Sequence, residues 1–186
     1  MHQYREGDLA AFNELYRRHA RGLYNFILWR SPRKEWAEEI IQETWCGLHT
    51  AKSNYEAKAE FRTFLFQIAR NKLVDCLRQH KNMELATDLG QEEDGSPVFE
   101  LIADIAQNTP TPMDELENKQ QLEWLQSAIH RLPSEQREAL ALQQFSGLSL
   151  AEIAEITFTS VETIKSRLRY AVQKLRHQAQ FAVVKG

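Results

Sequence analysis

Residues 149–177 read SLAEIAEITFTSVETIKSRLRYAVQKLRH, a stretch with two helix starts only about ten residues apart. Each start matches the capping-box pattern, in which a serine or threonine is followed three residues later by a glutamate: Ser149 with Glu152, and Thr159 with Glu162. The first helix is short and apolar, and about three residues separate it from the second. A tight turn between two such helices is a helix-turn-helix, so we expect this part of the chain to bind DNA.

The second of these helices has two chemically different faces. Its apolar residues share one side and are expected in the core: Val161, Ile164, Leu168, Ala171, Val172 and Leu175. The opposite side carries Glu162, Ser166, Arg169 and Gln173, with Lys165 and Arg176 on one shoulder and Arg167 and Lys174 on the other. A recognition helix needs polar groups on its ridge for base edges and cations beside them for phosphates. An amphipathic terminal helix of a bundle is the alternative interpretation.

The net charge of −3 hides a strong division along the chain. Residues 1–82 hold 14 Lys and Arg against 10 Asp and Glu, and residues 128–186 hold 8 against 5, so both ends are mildly basic. Between them, residues 83–127 hold 11 acids and a single lysine. Residues 83–112 also contain three of the five prolines, which predicts a flexible acidic linker between a first domain, 1–82, and a second, 113–186. A solvated linker is the simpler interpretation of those acids. The functional alternative is that they repel DNA, or cover the basic domains, until a partner rearranges them.

Composition narrows the class of protein further. Seven glycines in 186 residues favour helices over turn-rich β structure, so we predict an all-α fold of two small helical domains. No apolar run is long enough to span a membrane, and the first residues lack the apolar stretch of a secretion signal, so we expect a cytoplasmic protein without membrane contact. Two cysteines are too few for a disulfide framework or a four-ligand zinc site.

The N-terminal half predicts three long helices. The first runs from Leu9 to Trp29, and the second begins with Ser31 as its N-cap and Pro32 at its first position and ends near Thr50. One face of the second helix is apolar, and the other carries Glu35, Glu38, Glu39, Gln42, Glu43 and His49. The third helix, Phe61 to about Gln79, is basic and rich in aromatic residues. After the linker we expect helices over 113–131 and from Ser134 to about Ser146.

Several of these segments resemble one protein family. LPSEQREA from Leu132, GLSLAEIA from Gly147 and TIKSRL from Thr163 are similar to the C-terminal domain of the bacterial extracytoplasmic-function (ECF, group 4) sigma factors of RNA polymerase, within the sigma-70 family. AEEIIQETW from Ala37 resembles the family's polymerase-clamp helix, and FRTFLFQIARNKLVD from Phe61 its promoter-melting helix. The resemblance covers nearly the whole chain in the same order.

The resemblance implies a role for each face. The acidic face of Glu38, Glu39, Gln42 and Glu43 would bind the polymerase β′ clamp, and the second domain would meet the β flap. The promoter −10 element would contact Asn54, Tyr55, Lys58, Arg62, Arg70 and Asn71, with Phe61 and Phe64 in the core. The −35 element would be read by Glu162, Lys165, Ser166, Arg167, Arg169 and Lys174, and Arg137 would touch phosphate. Such proteins are commonly held inactive by an anti-sigma factor, which we also expect here.

Other functions compete with this one. A stand-alone helix-turn-helix repressor or activator needs only the second domain, and it leaves the acidic face of the first without a role. An enzyme is not expected, because the six histidines are scattered and no metalloprotease, phosphate-loop or nucleophile motif is present; no cofactor is expected either. Cys46 and His49 lie one helical turn apart and could sense a metal, but two ligands are too few, and no metal site is predicted.

Overall fold

The computed structural model describes residues 1–55, 60–86, 124–125 and 127–183; at 54, 81–86 and 180–183 it describes the backbone alone. Within these ranges the chain forms helices and no strand: α1 (His2–Arg5), α2 (Leu9–Arg30), α3 (Lys34–Ala51), a 3-10 turn (Lys52–Asn54), α4 (Phe61–Ala86), α5 (Ser134–Phe145), α6 (Leu150–Ile156) and α7 (Val161–Val183). Residues 127–130 are also helical. The all-helical fold is therefore confirmed. The helix α4 ends at Ala86, beyond its predicted end near Gln79 and inside the predicted linker. Residues 87–112 of that linker and the helix start at 113 lie outside the described residues, and the domain limits stay predictions.

The N-terminal module is a bundle of α2, α3 and α4. Asp8 starts α2 because its carboxylate accepts hydrogen bonds from the amides of Ala10 and Ala11, at 2.8 and 3.2 Å. The core contains Leu23, Phe26 and Ile27 of α2, the apolar side of α3 and Leu65, Phe66, Ala69 and Leu73 of α4. The predicted division of α3 into an apolar and a polar face is thus confirmed.

The start of α3 differs from the prediction. Ser31 is the C-cap residue of α2, is fully buried, and its hydroxyl donates to the carbonyl of Arg33 at 2.8 Å. The helix begins at Lys34, with Arg33 at its N-cap and no side-chain cap hydrogen bond. The Ser-Pro pair therefore marks the corner between two helices. A serine after a helix end and a serine before a helix start look alike in sequence, because both roles use the same short hydroxyl.

The helix-turn-helix of the C-terminal module is formed by α6 and α7. The capping box at Ser149 is confirmed: Glu152 Oε2 accepts from the Ser149 amide at 2.8 Å, and Ser149 Oγ accepts from the Glu152 amide at 3.3 Å. The second capping box is wrong by one residue, since Ser160, not Thr159, accepts the amide of Thr163, at 3.1 Å. Glu162 is therefore not the partner of the N-cap residue of α7. The turn spans the four residues between Ile156 and Val161.

The turn itself holds a strained residue. Phe158 has φ of 54°, in the left-handed region that glycine favours, and its side chain is 73% exposed. Its amide donates to the Glu155 carbonyl at 3.1 Å, and the amide of Thr159 donates to Ala154 at 2.9 Å. These two bonds form a Schellman motif, which ends α6 and turns the chain sharply into α7.

The two modules share one continuous core. Trp29 of α2 meets Phe145 of α5 edge to face, with ring centroids 4.7 Å apart, and buried residues of α5, α6 and α7 belong to the same cluster as those of α2 and α4. The C-terminal module is therefore seated directly on the N-terminal one. No helix among the described residues is both long and apolar enough to cross a membrane.

Candidate nucleic-acid interface

The outward face of α7 presents most of the predicted −35 contacts to solvent. Glu162, Lys165, Arg169, Gln173, Lys174 and Arg176 are exposed, while Ser166 and Arg167 are half-buried. On the inner face Ile164, Leu168 and Ala171 are buried, as predicted. Val172 is the exception: it was placed in the core by periodicity but is 39% exposed, because no described element covers that edge of the helix. The ridge-and-shoulder arrangement otherwise matches the prediction.

The ridge side chains are held only by weak local contacts. Lys165 pairs with Glu162 at 2.8 Å, and both side chains are more than half exposed. The Arg169 guanidinium lies 5.0 Å from the ring centroid of Tyr170, its neighbour in sequence. Exposed ion pairs and exposed cation–π contacts contribute little to stability, so exchanging them for phosphates or base edges costs the fold little.

Arg137 occupies a different environment from the other predicted cations. It is half-buried near the start of α5, and its Nη1 donates to Nδ1 and to the carbonyl of His130, at 3.0 and 3.3 Å. Burial, and secondarily the charge of Arg137, lowers the pKa of His130. The guanidinium is therefore engaged within the module, and the phosphate contact predicted for Arg137 stays a prediction.

The acidic face of α3 forms a second exposed surface. Glu38, Glu39, Gln42 and Glu43 are all exposed, and Glu43 is paired with Lys72 of α4 at 3.3 Å. Opposite them, Ala37, Ile40, Thr44, Trp45 and Leu48 are buried. The structure thus confirms that this face is available, and its role as a polymerase contact stays a prediction.

The predicted −10 contacts fall into three groups. Tyr55 is only 7% exposed and packs in the N-terminal core, its ring 5.3 Å from Phe64. Its −10 contact stays a prediction, and its burial leaves it out of the surface presented to solvent. Lys58 lies outside the described residues, and so does the side chain of Asn54. On α4, Asn71 is exposed, whereas Arg62 and Arg70 are half-buried. The half-buried Phe61 and Phe64 both pack against the core, as predicted.

Arg62 and Arg70 both contact the C-terminal module. Arg62 Nη1 donates to the carbonyl of Gly147 at 3.1 Å, while its Nη2 meets Glu60 at 3.2 Å. Arg70 Nε donates to Glu138 Oε1 at 3.1 Å, and its guanidinium lies 5.7 Å from the ring centroid of Phe158. In this arrangement the two arginines predicted to hold the −10 element contact α5 and the helix-turn-helix instead.

Two buried charges escaped the sequence interpretation. Arg30 and Glu138 have side chains that are 6% exposed, with Arg30 Nη2 and Glu138 Oε1 3.7 Å apart. Burial lowers the pKa of Arg30, with Glu138 acting in the opposite direction. Each charge continues an apolar stripe: Arg30 follows Leu23 and Phe26 on α2, and Glu138 precedes Leu142 on α5. A charged residue on the apolar face of each of two helices was the feature of the sequence that could have predicted this buried pair.

The metal hypothesis gains no support from the geometry. Cys46 is an exposed free thiol, and Nδ1 of His49 lies 2.7 Å from the hydroxyl of Tyr4. The part of the chain that the structure describes contains no group of three or more histidine, cysteine or acidic side chains that could hold a metal ion. Burial raises the pKa of the other thiol, Cys76, which makes it a poor nucleophile.

Two family models match the chain. Sigma-70 region 2 matches residues 15–83, and Sigma-70 region 4 matches residues 122–175. These spans cover the N-terminal helical bundle and the helix-turn-helix module respectively. The acidic α3 and the basic α4 fall in the first, and the outward face of α7 falls in the second.

Known proteins resemble the chain over most of its length. ECF RNA polymerase sigma factor SigM of Bacillus subtilis (strain 168) is 30% identical, over 88% of this chain and 92% of that protein. ECF RNA polymerase sigma factor RpoE of Cereibacter sphaeroides is 31% identical, over 91% and 86%. The sigma factor RpoE of Bartonella quintana, solved in complex with the anti-sigma factor NepR, has the same fold, with a TM-score of 0.72, 22% identity, and coverage of 91% of this chain and 97% of that one. The chain therefore belongs to the extracytoplasmic-function sigma factors, the non-enzymatic factors that direct core RNA polymerase to specific promoters.

Proposed function

We propose that this sigma factor uses three separate surfaces: the acidic face of α3 for the polymerase β′ clamp, α4 and the loop before it for the −10 element, and the outward face of α7 for the −35 element. The second module would also meet the β flap. Its place of work would be the cytoplasm, where polymerase and promoter are found. A stand-alone repressor is not favoured, since the family match covers both modules.

The observation that carries this proposal is the acidic face of α3. Glu38, Glu39 and Gln42 are exposed, and among the described contacts only Glu43 is tied to a neighbouring helix. Four adjacent acidic or amide side chains facing solvent would repel DNA, so the surface suits a basic protein partner. Charge complementarity of this kind raises the association rate and sets the register of a complex.

Promoter reading would divide between the modules by chemistry. The ridge of α7 offers a carboxylate, a hydroxyl and a guanidinium to base edges of duplex DNA, with Lys165, Arg167 and Lys174 beside them for phosphates. On α4, Arg62, Arg70 and Asn71 would hold the backbone of melted DNA. Lys58 and Asn54 would add contacts from the preceding loop.

We test the proposal with charge reversals in the N-terminal module. Glu39→Lys should weaken binding to core polymerase about tenfold and reduce run-off transcription accordingly, because it places like charges in contact. Glu6→Lys is the matched control, since Glu6 is an exposed acid of the same module outside α3. Gel shifts with and without core polymerase complete the test. Promoter-specific binding of the chain alone, with no polymerase-dependent transcript, would overturn the proposal.

An anti-sigma partner forms the last part of the proposal. Two proteins of this fold were solved with such partners: RpoE with the anti-sigma factor NepR, and CnrH with the cytosolic domain of CnrY, the latter at a TM-score of 0.66 and 21% identity. We expect a comparable protein to cover α3 here. Affinity purification from the native host at endogenous level should recover it, and recovery of polymerase alone under every growth condition would contradict this expectation.

A further inference from the structure

The helix α1 is too short to be stable by itself. It contains four residues, His2–Arg5, whereas isolated helices shorter than about 12–15 residues are marginal in water. Tyr4 is nevertheless only 2% exposed, almost as deeply buried as the core of the long helices. Tertiary contacts therefore hold α1 in place, and they connect it to one particular part of the N-terminal module.

Tyr4 joins three elements through a single side chain. Its ring contacts Phe12 of α2, with the ring centroids 5.0 Å apart, and its hydroxyl lies 2.7 Å from Nδ1 of His49 in the last turn of α3. Nζ of Lys52, the first residue of the 3-10 turn, lies 5.1 Å from the centroid of the tyrosine ring. The turn that follows α3 is thus attached to α1 at its first residue.

The other end of this turn also contacts α1. Arg5 Nη1 donates a long hydrogen bond, at 3.4 Å, to the carbonyl of Tyr55, the residue directly after the turn. The ring of His2 meets the ring of Tyr55 edge to face, with the centroids 6.4 Å apart, and Phe64 of α4 contacts the same ring at 5.3 Å. Tyr55 is consequently buried and held by both α1 and α4.

Gly7 fixes the direction in which α1 is joined to α2. Its φ is 102°, in the left-handed region that glycine favours, and its amide donates to the carbonyl of Tyr4 at 3.0 Å. A Cβ atom built on Gly7 would meet no atom within 4 Å, so alanine there would be strained by its backbone alone. A substitution at Gly7 can therefore loosen α1 without changing any side chain that contacts the turn.

The turn held by α1 leads directly into the loop proposed to contact the −10 element. Tyr55 precedes that loop, and Glu60 follows it, where its carbonyl accepts the amide of Phe64 at 3.2 Å. A loop that starts from a fixed residue has fewer conformations to lose when it binds a ligand. Fixing the backbone of one residue in advance is equivalent to a factor of about 5 to 30 in affinity.

We propose that α1 is a positioning element for −10 recognition: it fixes residues 52–55 and thereby the place from which Asn54 and Lys58 reach the promoter. The inference rests on the proposed role of those two residues at the −10 element. Neither Tyr4 nor Tyr55 touches DNA in this arrangement, since both are buried. Packing for stability alone is the competing explanation of the same contacts.

The test loosens α1 in two independent ways. Tyr4→Ala removes the central side chain, and Gly7→Ala strains the connection to α2. Tyr4→Phe is the conservative variant, which keeps the ring and loses only the hydroxyl at His49. Ile27→Ala is the matched control, because it removes a fully buried side chain of α2 about four helical turns beyond Phe12. Circular dichroism and thermal melting establish that each variant is folded at the assay temperature.

The functional measurement is run-off transcription with core polymerase from two panels of promoters, one with single-base changes in the −10 element and one with changes in the −35 element. Tyr4→Ala and Gly7→Ala should lower the transcript from the best −10 sequence about 5- to 30-fold. Mismatched −10 sequences should lose much less, because they gain little from the contacts of the loop. Discrimination among −35 variants should stay unchanged, and Tyr4→Phe should retain most of the −10 discrimination.

The structural measurement is hydrogen exchange on the full chain, followed by mass spectrometry. Amides of residues 52–55 should exchange faster in Tyr4→Ala and Gly7→Ala, because α1 no longer holds the turn. Ile27→Ala should leave exchange at these residues and −10 discrimination at the level of the parent. A loss confined to the −10 panel, together with faster exchange at the turn, supports the positioning role.

The outcomes separate this inference from the proposed function. If Tyr4→Ala and Gly7→Ala lower both promoter panels alike, or behave as Ile27→Ala does, α1 serves stability alone and the inference is overturned. Faster exchange at residues 52–55 without loss of −10 discrimination overturns it as well. The proposed function is tested by the parent and by a double variant, Asn54→Ala with Lys58→Ala: a parent that discriminates among −10 sequences, and a double variant that does not, uphold it whatever the α1 variants show. A parent without −10 discrimination overturns both.

Discussion

Replacement of Arg169 by alanine should separate promoter reading from folding. The guanidinium is exposed, and its described contacts are with Tyr170 alone, at 5.0 Å from the ring centroid and 3.4 Å from the hydroxyl. Its loss should therefore change the free energy of unfolding by no more than about 0.5 kcal/mol. A ridge arginine bound to a guanine edge contributes about 1–3 kcal/mol, so transcription from the best −35 sequence should fall about 5- to 150-fold.

Two substitutions in the same helix calibrate this effect. Lys174→Ala removes an exposed shoulder cation, so it should weaken all promoters alike and lower the salt dependence by about one phosphate contact. Ile164→Ala acts on a side chain that is fully buried, and the resulting cavity should lower the free energy of unfolding by about 2–5 kcal/mol. The three variants thus predict three distinct combinations of stability, specificity and salt response.

The assay is run-off transcription from a panel of single-base −35 variants at two salt concentrations, with the melting temperature of each protein measured in parallel. Discrimination among −35 variants should flatten for Arg169→Ala and persist for Lys174→Ala. If Arg169→Ala reduces every promoter by the same factor, the ridge of α7 does not read bases at this position. A large drop in melting temperature for the same variant would show that its exposed contacts matter to the fold.

Three further predictions concern stability. Phe158→Gly should raise the free energy of unfolding by about 1 kcal/mol, because glycine relieves the left-handed backbone and the lost ring is mostly exposed; a lower value in chemical denaturation would contradict the strain. Asp8→Ala should cost about 1 kcal/mol by removing the cap of α2, and Asp8→Asn, which keeps an acceptor, should cost less. Burial lowers the pKa values of His19 and His130, with nearby arginines acting in the same direction, so the folded state favours their neutral forms. The free energy of unfolding should therefore be highest above the unfolded histidine pKa of about 6.5 and should fall as the pH drops below that value. Chemical denaturation should give a lower free energy of unfolding at pH 5.5 than at pH 7.5. This difference should shrink when both histidines are replaced by glutamine.

The helix faces were open to prediction because their causes are local. The 3.6-residue period places Ile164, Leu168 and Ala171 on one side of α7 whatever packs against them, and Ser149 and Glu152 satisfy each other within one turn. The same reasoning anticipated the exposed acids of α3. The errors of this reasoning were also local. The N-cap of α3 is Arg33, two residues after the predicted Ser31, and the N-cap of α7 is Ser160, one residue after the predicted Thr159.

Residue chemistry and order along the chain therefore determined the all-helical class, the helix-turn-helix, the family and the faces that meet solvent. Only the tertiary structure decided which faces meet each other. Arg30 and Glu138 stand more than a hundred positions apart, and Gly22 of α2 leaves room for the carbonyl oxygen of Phe145 on the other module. Val172 lies on the apolar side of α7 by periodicity and is nevertheless exposed, because its burial depends on whether a neighbouring element covers it. Periodicity and capping follow from bonds within a few residues, whereas docking depends on the combined shape and charge of surfaces that exist only once both modules have folded.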